Sequence, residues 1–154
     1  MKGFLLFDID GVIRDVSSSY RLAIQETVNH FCKWRPTIEK IDELKAEGVW
    51  NNDWETSMEL IKRQQKSKNI SIQTPTMKKL VEVFNNFYFG GDPAGDSNTW
   101  EGFINNEPLL INKSLFESLT NKGFLWGFVS GAEKCSARYI LQSRLGLINP
   151  PLIA

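Results

Sequence analysis

Two aspartates one residue apart, Asp8 and Asp10, follow the apolar run GFLLF and precede Gly11. Carboxylates are among the costliest side chains to take out of water, so their place directly after an apolar segment calls for a reason. Two hard oxygen donors at that point suit a divalent cation such as Mg2+, which takes one or two protein carboxylates together with substrate phosphate oxygens. A carboxylate beside such a cation can attack phosphorus, and a second acid can move the leaving-group proton. Gly11 lets the backbone turn tightly and brings its amide to a phosphoryl oxygen. The competing reading is that both acids end a strand in a loop and accept bonds from nearby amides. Residue chemistry alone leaves both open.

A second segment of the same build is FLWGFVSGA, an apolar run that ends in Ser130 and Gly131. A serine hydroxyl and a glycine amide there can hold a phosphoryl oxygen. Taken alone, the same Ser-Gly pair also reads as the start of the next helix.

The elements that must position these residues follow from spacing. GFLLFDI is a short apolar run without helical periodicity, which predicts a buried parallel strand. SSSYRLAIQETVNHFCKW carries Leu22, Ile24, Val28, Phe31 and Cys32 near a three-four repeat, with serines to cap it and Pro36 to end it. TIEKIDELKAEG, DWETSMELIKRQQKSKN and TPTMKKLVEVFNNFYF predict three more helices, the last followed by Gly90 and Gly91. GGDPAGDSNTWEGFINNEP reads as a returning linker. Then come a helix over LLINKSLFESLTNKG, the strand FLWGFV, a helix over EKCSARYILQSRLGL and a third strand beginning in PPLIA. Strand, helical insert, helix, strand, helix, strand is the order of an open α/β parallel sheet with one long insertion.

FLLFDIDGVIRD resembles the first signature of the haloacid dehalogenase (HAD) superfamily, an apolar strand followed by Asp-x-Asp-Gly and a further apolar pair. The resemblance implies that Asp8 is the nucleophile that becomes an aspartyl-phosphate. It implies that Asp10 is the general acid and base, and that both residues face Mg2+, Asp10 through its main-chain carbonyl. FLWGFVSGA is similar to the second signature, in which Ser130 holds a phosphoryl oxygen together with the Gly11 and Gly131 amides. A helical insert between the two signatures is what the subfamily IA, type-1 cap group carries. Residues 16–105 fit that cap, with 1–15 and 106–154 forming a partial HAD-like Rossmannoid core. The implied activity is Mg2+-dependent hydrolysis of a small phosphate ester.

The resemblance stops at the later signatures, a lysine on a following helix and a strand ending in one or two acids. The twenty-four residues after Ser130 contain Lys134 and no acid beyond Glu133, so the sequence reads as truncated before both. One edge of the first strand would then face solvent and invite a second copy or a complementing chain. The alternative to an enzyme is an inactive module that binds a phosphorylated ligand, or a protein partner through that open edge.

In the insert, Asn52 and Trp54 lie in a polar-aromatic stretch, VWNNDWE, that can face a substrate or simply cap and pack the helix beginning there. Arg21 can reach a substrate anion or form a surface ion pair. His30, the sole histidine, has no partner in sequence and reads as a partly buried surface residue.

Composition narrows the rest. Eighteen basic and eighteen acidic side chains in 154 residues cancel, and there is no lysine or arginine run, which argues against a nucleic-acid partner. No apolar stretch approaches the roughly 20 residues of a membrane span. The apolar segment before Asp8 is shorter than a secretory signal's about 7–15 residues, and Cys32 and Cys135 are far apart without metal-ligand spacing. A cytoplasmic protein acting on a small phosphorylated molecule is the expectation.

Overall fold

Short apolar runs flanked by turn residues become the strands, and amphipathic segments between Thr, Pro and Gly punctuation become the helices. The computed structural model describes residues 2–68 and 73–154. Three parallel strands form one sheet in the order β1-β2-β3: β1 (Gly3–Phe7), β2 (Phe124–Val129) and β3 (Leu152–Ile153). Gly3 to Phe7 sit opposite Phe124 to Phe128, and Phe128 and Val129 sit opposite Leu152 and Ile153. Parallel neighbours need a crossover, and the one between β1 and β2 carries the whole helical insert.

That insert contains α1 (Ser19–Cys32), α2 (Ile38–Ala46), α3 (Asp53–Lys68) and α4 (Met77–Tyr88). Asn69, the last residue expected in the third of these, lies outside the described residues. Thr37 and Thr76 cap α2 and α4 by accepting from the Lys40 and Lys79 amides. The expected serine cap on α1 is not made: Ser18 occupies the position without a side-chain bond. α1 stops at Cys32, where Lys33 takes the left-handed conformation, before Pro36 can act. Ala23, Ile24 and Val28 of α1, Met58 and Ile61 of α3, and Leu80 and Phe84 of α4 form the insert's part of a core continuous with the sheet domain.

Two expectations change. The uninterrupted apolar run of β1 predicted burial on both faces, yet exposure alternates, with Phe4 57% and Leu6 60% exposed. The sheet is covered on one face, where Phe116 of α5 (Ser114–Asn121) meets the rings of Phe7, Trp126 and Phe128 at 4.7–5.4 Å. The helix expected from Leu109 to Gly123 shrinks to α5 because Leu109 and Leu110 serve another purpose. Leu110 N–H donates to the Ile13 carbonyl and Asp15 N–H to the Pro108 carbonyl, both at 2.9 Å. The two chain crossings between sheet and insert are thus tied side by side. After β2 comes α6 (Lys134–Arg138), which continues as a π-helical stretch, Tyr139–Arg144. Among the described residues no helix is long and apolar enough to cross a membrane.

Candidate active site

The turn after β1 is built around Ile9. Its side chain is fully buried, and its carbonyl accepts from the Val12, Ile13 and Arg14 amides at 3.2, 2.8 and 3.2 Å. Gly11 sits at φ 76°, in the region that favours glycine. With Ile9 anchored inward, Asp8 and Asp10 both reach a cleft of about 480 Å³ at the carboxyl ends of the strands, where open α/β sheets place ligands.

Ser130 and Gly131, at the end of β2, line the same cleft. The Ser130 amide donates to the Ile153 carbonyl at 2.9 Å, so β3 fixes its position, and its Oγ accepts from the Ala132 amide at 3.2 Å. From the insert, Tyr20, Trp54, Phe84 and Tyr88 close the opposite wall. The structure therefore brings Asp8, Asp10, Ser130, Gly131, Asn52 and Trp54 into one cleft.

Two expected contributors stand elsewhere. The Gly11 amide donates to the Arg14 carbonyl at 2.8 Å and Gly11 does not line the cleft, so it shapes the turn and has no amide left for a phosphoryl oxygen. Arg21 also does not line it. Its guanidinium grips Asp42 through Nε at 2.9 Å and Nη2 at 2.7 Å, because α2 lies alongside the start of α1. Asn52 does two things: it lines the cleft, and its Oδ1 accepts from the Trp54 and Glu55 amides at the start of α3. Trp54 meets Phe84 edge to face at 6.5 Å.

The residues that sequence reasoning missed are Arg14 and Glu107. Both are buried, and their side chains pair at 2.7 Å. Arg14 also donates from Nε to Asp10 Oδ1 at 2.7 Å, to the hydroxyls of Tyr88 and Tyr20 at 3.1 Å each, and to Ser136 Oγ at 3.5 Å. Glu107 accepts from the hydroxyls of Ser19 at 2.5 Å and Tyr88 at 3.1 Å. The one legible hint was an arginine four residues after Asp10; nothing near Glu107 in sequence marks it. Burial works against the Arg14 charge but is outweighed by Tyr88, Tyr20, Glu107 and Asp10, and its pKa lies above the ordinary value. Burial pushes the Glu107 carboxyl up against the pull of Arg14, and raises the Tyr20 phenol to about 12.

The charge of the cleft is one-sided. Asp8, Asp10, Asp53 and Glu133 line it, and among the described residues no lysine or arginine does. Asp53 is neutralised by Lys45 at 2.6 Å. A phosphate ester entering beside Asp8 and Asp10 needs a cation, and the Asp8 carboxylate and the Asp10 main-chain carbonyl are hard oxygen donors of the kind that Mg2+ prefers. Among the described residues no group of three or more His, Cys, Asp or Glu side chains could hold a metal ion. The donors present fit a cation held by the Asp8 carboxylate and the Asp10 main-chain carbonyl and completed by ligand oxygens.

Solved structures share this architecture. The chain superimposes on phosphatase Tt82 from Thermococcus thioreducens with a TM-score of 0.71 at 20% identity, over 97% of this chain and 71% of that one. A hydrolase from Pseudomonas syringae matches with a TM-score of 0.57 at 15% identity, over 99% and 61% of the two chains. A HAD hydrolase of family IA, variant 3, from Entamoeba histolytica matches at 0.52 and 11% identity, over 93% and 54%. The class of fold is thereby defined: the chain has an α/β fold shared with solved haloacid dehalogenase hydrolases and phosphatases. No family model matches the sequence. In sequence, an imidazoleglycerol-phosphate dehydratase from Phytophthora nicotianae is 36% identical over 115 residues, 75% of this chain. The chain spans 23% of that relative's length.

Proposed function

We propose that the cleft hydrolyses small phosphate monoesters through an aspartyl-phosphate. The observation that carries this reading is the convergence of Asp8, Asp10 and Ser130, from the ends of two adjacent parallel strands, on one cleft walled by the insert. An Asp8 carboxylate oxygen attacks phosphorus, and the bond from phosphorus to the ester oxygen breaks. Asp10, protonated at that stage, gives its proton to the departing alkoxide. In the second half, Asp10 takes a proton from water as the water oxygen attacks phosphorus, and inorganic phosphate leaves with Asp8 restored. Ser130 Oγ donates to a phosphoryl oxygen and fixes its orientation. Asp8 and Asp10 would hold Mg2+, which when bound offsets the charge gathering on the phosphoryl oxygens.

The resemblance to proteins described as phosphatases and hydrolases supports the reading. The dehydratase name belongs to a protein of which this chain spans 23%, and nothing in the cleft calls for dehydration. Free thiols at Cys32 and Cys135 suit a reducing compartment such as the cytoplasm. A second reading, a non-catalytic module docking through the sheet, is favoured by the edge of β1, unpaired among the described residues, and by the exposed Phe4, Leu6, Leu125 and Ile153.

The deciding experiment is phosphate release from p-nitrophenyl phosphate with and without Mg2+. We expect Mg2+-dependent turnover that Asp8→Asn abolishes. Equal rates from the wild type and Asp8→Asn, or no release from either, would remove the enzymatic reading and leave the docking module.

A further inference from the structure

We propose that Arg14 is a positioning residue that couples the placement of the helical insert to the orientation of Asp10. The proposal rests on the phosphatase reading for what Asp10 does, and on geometry alone for the coupling. A guanidinium has five N–H donors in a rigid planar fork, and Arg14 has five acceptors: Asp10 Oδ1, Glu107 Oε2, Tyr20 OH, Tyr88 OH and Ser136 Oγ. These come from the turn after β1, the return crossing, α1, α4 and α6. No donor is left spare and no solvent reaches the group, which is fully buried. Among the described residues Arg14 is the one side-chain partner of the Asp10 carboxylate.

The fork is rigid, so its acceptors cannot move independently. If α1 or α4 shifts by an ångström relative to the sheet, the bonds that Arg14 donates to Tyr20 or Tyr88 lengthen past useful range, and the guanidinium must rotate, taking Asp10 Oδ1 with it. The Tyr20 and Tyr88 rings stack at 4.7 Å and line the same cleft as Asp10. A substrate that presses on these rings therefore acts on the group that aims the acid. The coupling is what a purely local salt bridge between Asp10 and Arg14 would lack.

The test uses Arg14→Lys, which keeps the charge but offers three donors from a point instead of five in a fork. An acid held out of line hurts most where the leaving group needs its proton. We expect kcat on glycerol phosphate, whose alkoxide must be protonated, to fall about tenfold further than kcat on p-nitrophenyl phosphate, with KM little changed. Tyr88→Phe should move the same ratio in the same direction. Equal losses on both substrates, with Asp8→Asn still inactive, would overturn the coupling while leaving the phosphatase reading intact. If the wild type turns over neither substrate, the phosphatase reading falls and the coupling is decided by urea unfolding. Asp10→Asn and Tyr88→Phe should then be non-additive by about five-fold or more in the unfolding equilibrium constant, and additive once Arg14→Lys is present. Additivity in the wild-type background would overturn the proposal by that route.

Discussion

Replacing Glu107 with Gln keeps the volume of the side chain and removes the charge facing Arg14. In the wild type the two groups are 2.7 Å apart, and neither side chain is exposed to solvent. Gln can still present one oxygen to the guanidinium, and the Ser19 and Tyr88 hydroxyls can turn to accept from its amide. Hydrogen-bond count is therefore nearly preserved, and the loss is chiefly the Coulomb attraction that offset burying Arg14. Removing one partner of a buried pair costs about 3–5 kcal/mol; with the half-exposed Asp10 still beside Arg14, at 29% exposure, the lower end, about 3 kcal/mol, applies here. For a chain of this size that corresponds to a fall in Tm of about 6–12 °C. Five tryptophans provide the signal for urea unfolding followed by fluorescence. Glu82→Gln, in the exposed pair with Lys79 at 2.8 Å, is the control and should leave the curve unchanged, because water screens that pair. If Glu107→Gln behaves like Glu82→Gln, the reasoning that burial makes this pair structural is wrong.

Phe116→Ala should destabilise by about 3–5 kcal/mol, since the ring is the contact of α5 with three aromatic side chains of the sheet and leaves a cavity; a loss under about 1 kcal/mol in the same unfolding assay would contradict the packing described. Gly102→Ala should fail to express as a folded protein, because a Cβ there would stand 2.4 Å from the Phe89 carbonyl carbon and the Tyr88 carbonyl oxygen. A wild-type circular dichroism spectrum and melting curve from that variant would be inconsistent with the close approach. The Tyr20 phenol is raised to about 12 by burial, whereas an unfolded phenol ionises near about 10. The fold thus favours the protonated form, and the stability this contributes is complete below pH 10 and lost as pH rises toward 12. Urea midpoints should fall across that window and fall less in Tyr20→Phe; a Tyr20 absorbance change already complete near pH 10 would refute it.

Much of this protein is legible along the chain. The strand-forming runs, the four helices of the insert and the acids at the end of β1 are set by residues within a few positions of one another, where side-chain periodicity and backbone geometry act directly. The cleft itself was legible at its two strand ends, where an apolar run gives way to Asp8 and Asp10 in one case and to Ser130 in the other, and in the insert at Asn52 and Trp54. Tertiary structure decided the rest. It shortened the helix before β2 because Leu110 was needed against Ile13, left one face of β1 open because α5 covers only the other, and turned Arg21 toward Asp42. Above all it paired Arg14 with Glu107, 93 residues away, since a charge is buried only where distant segments together supply every partner it needs, and no local pattern records where those partners will meet.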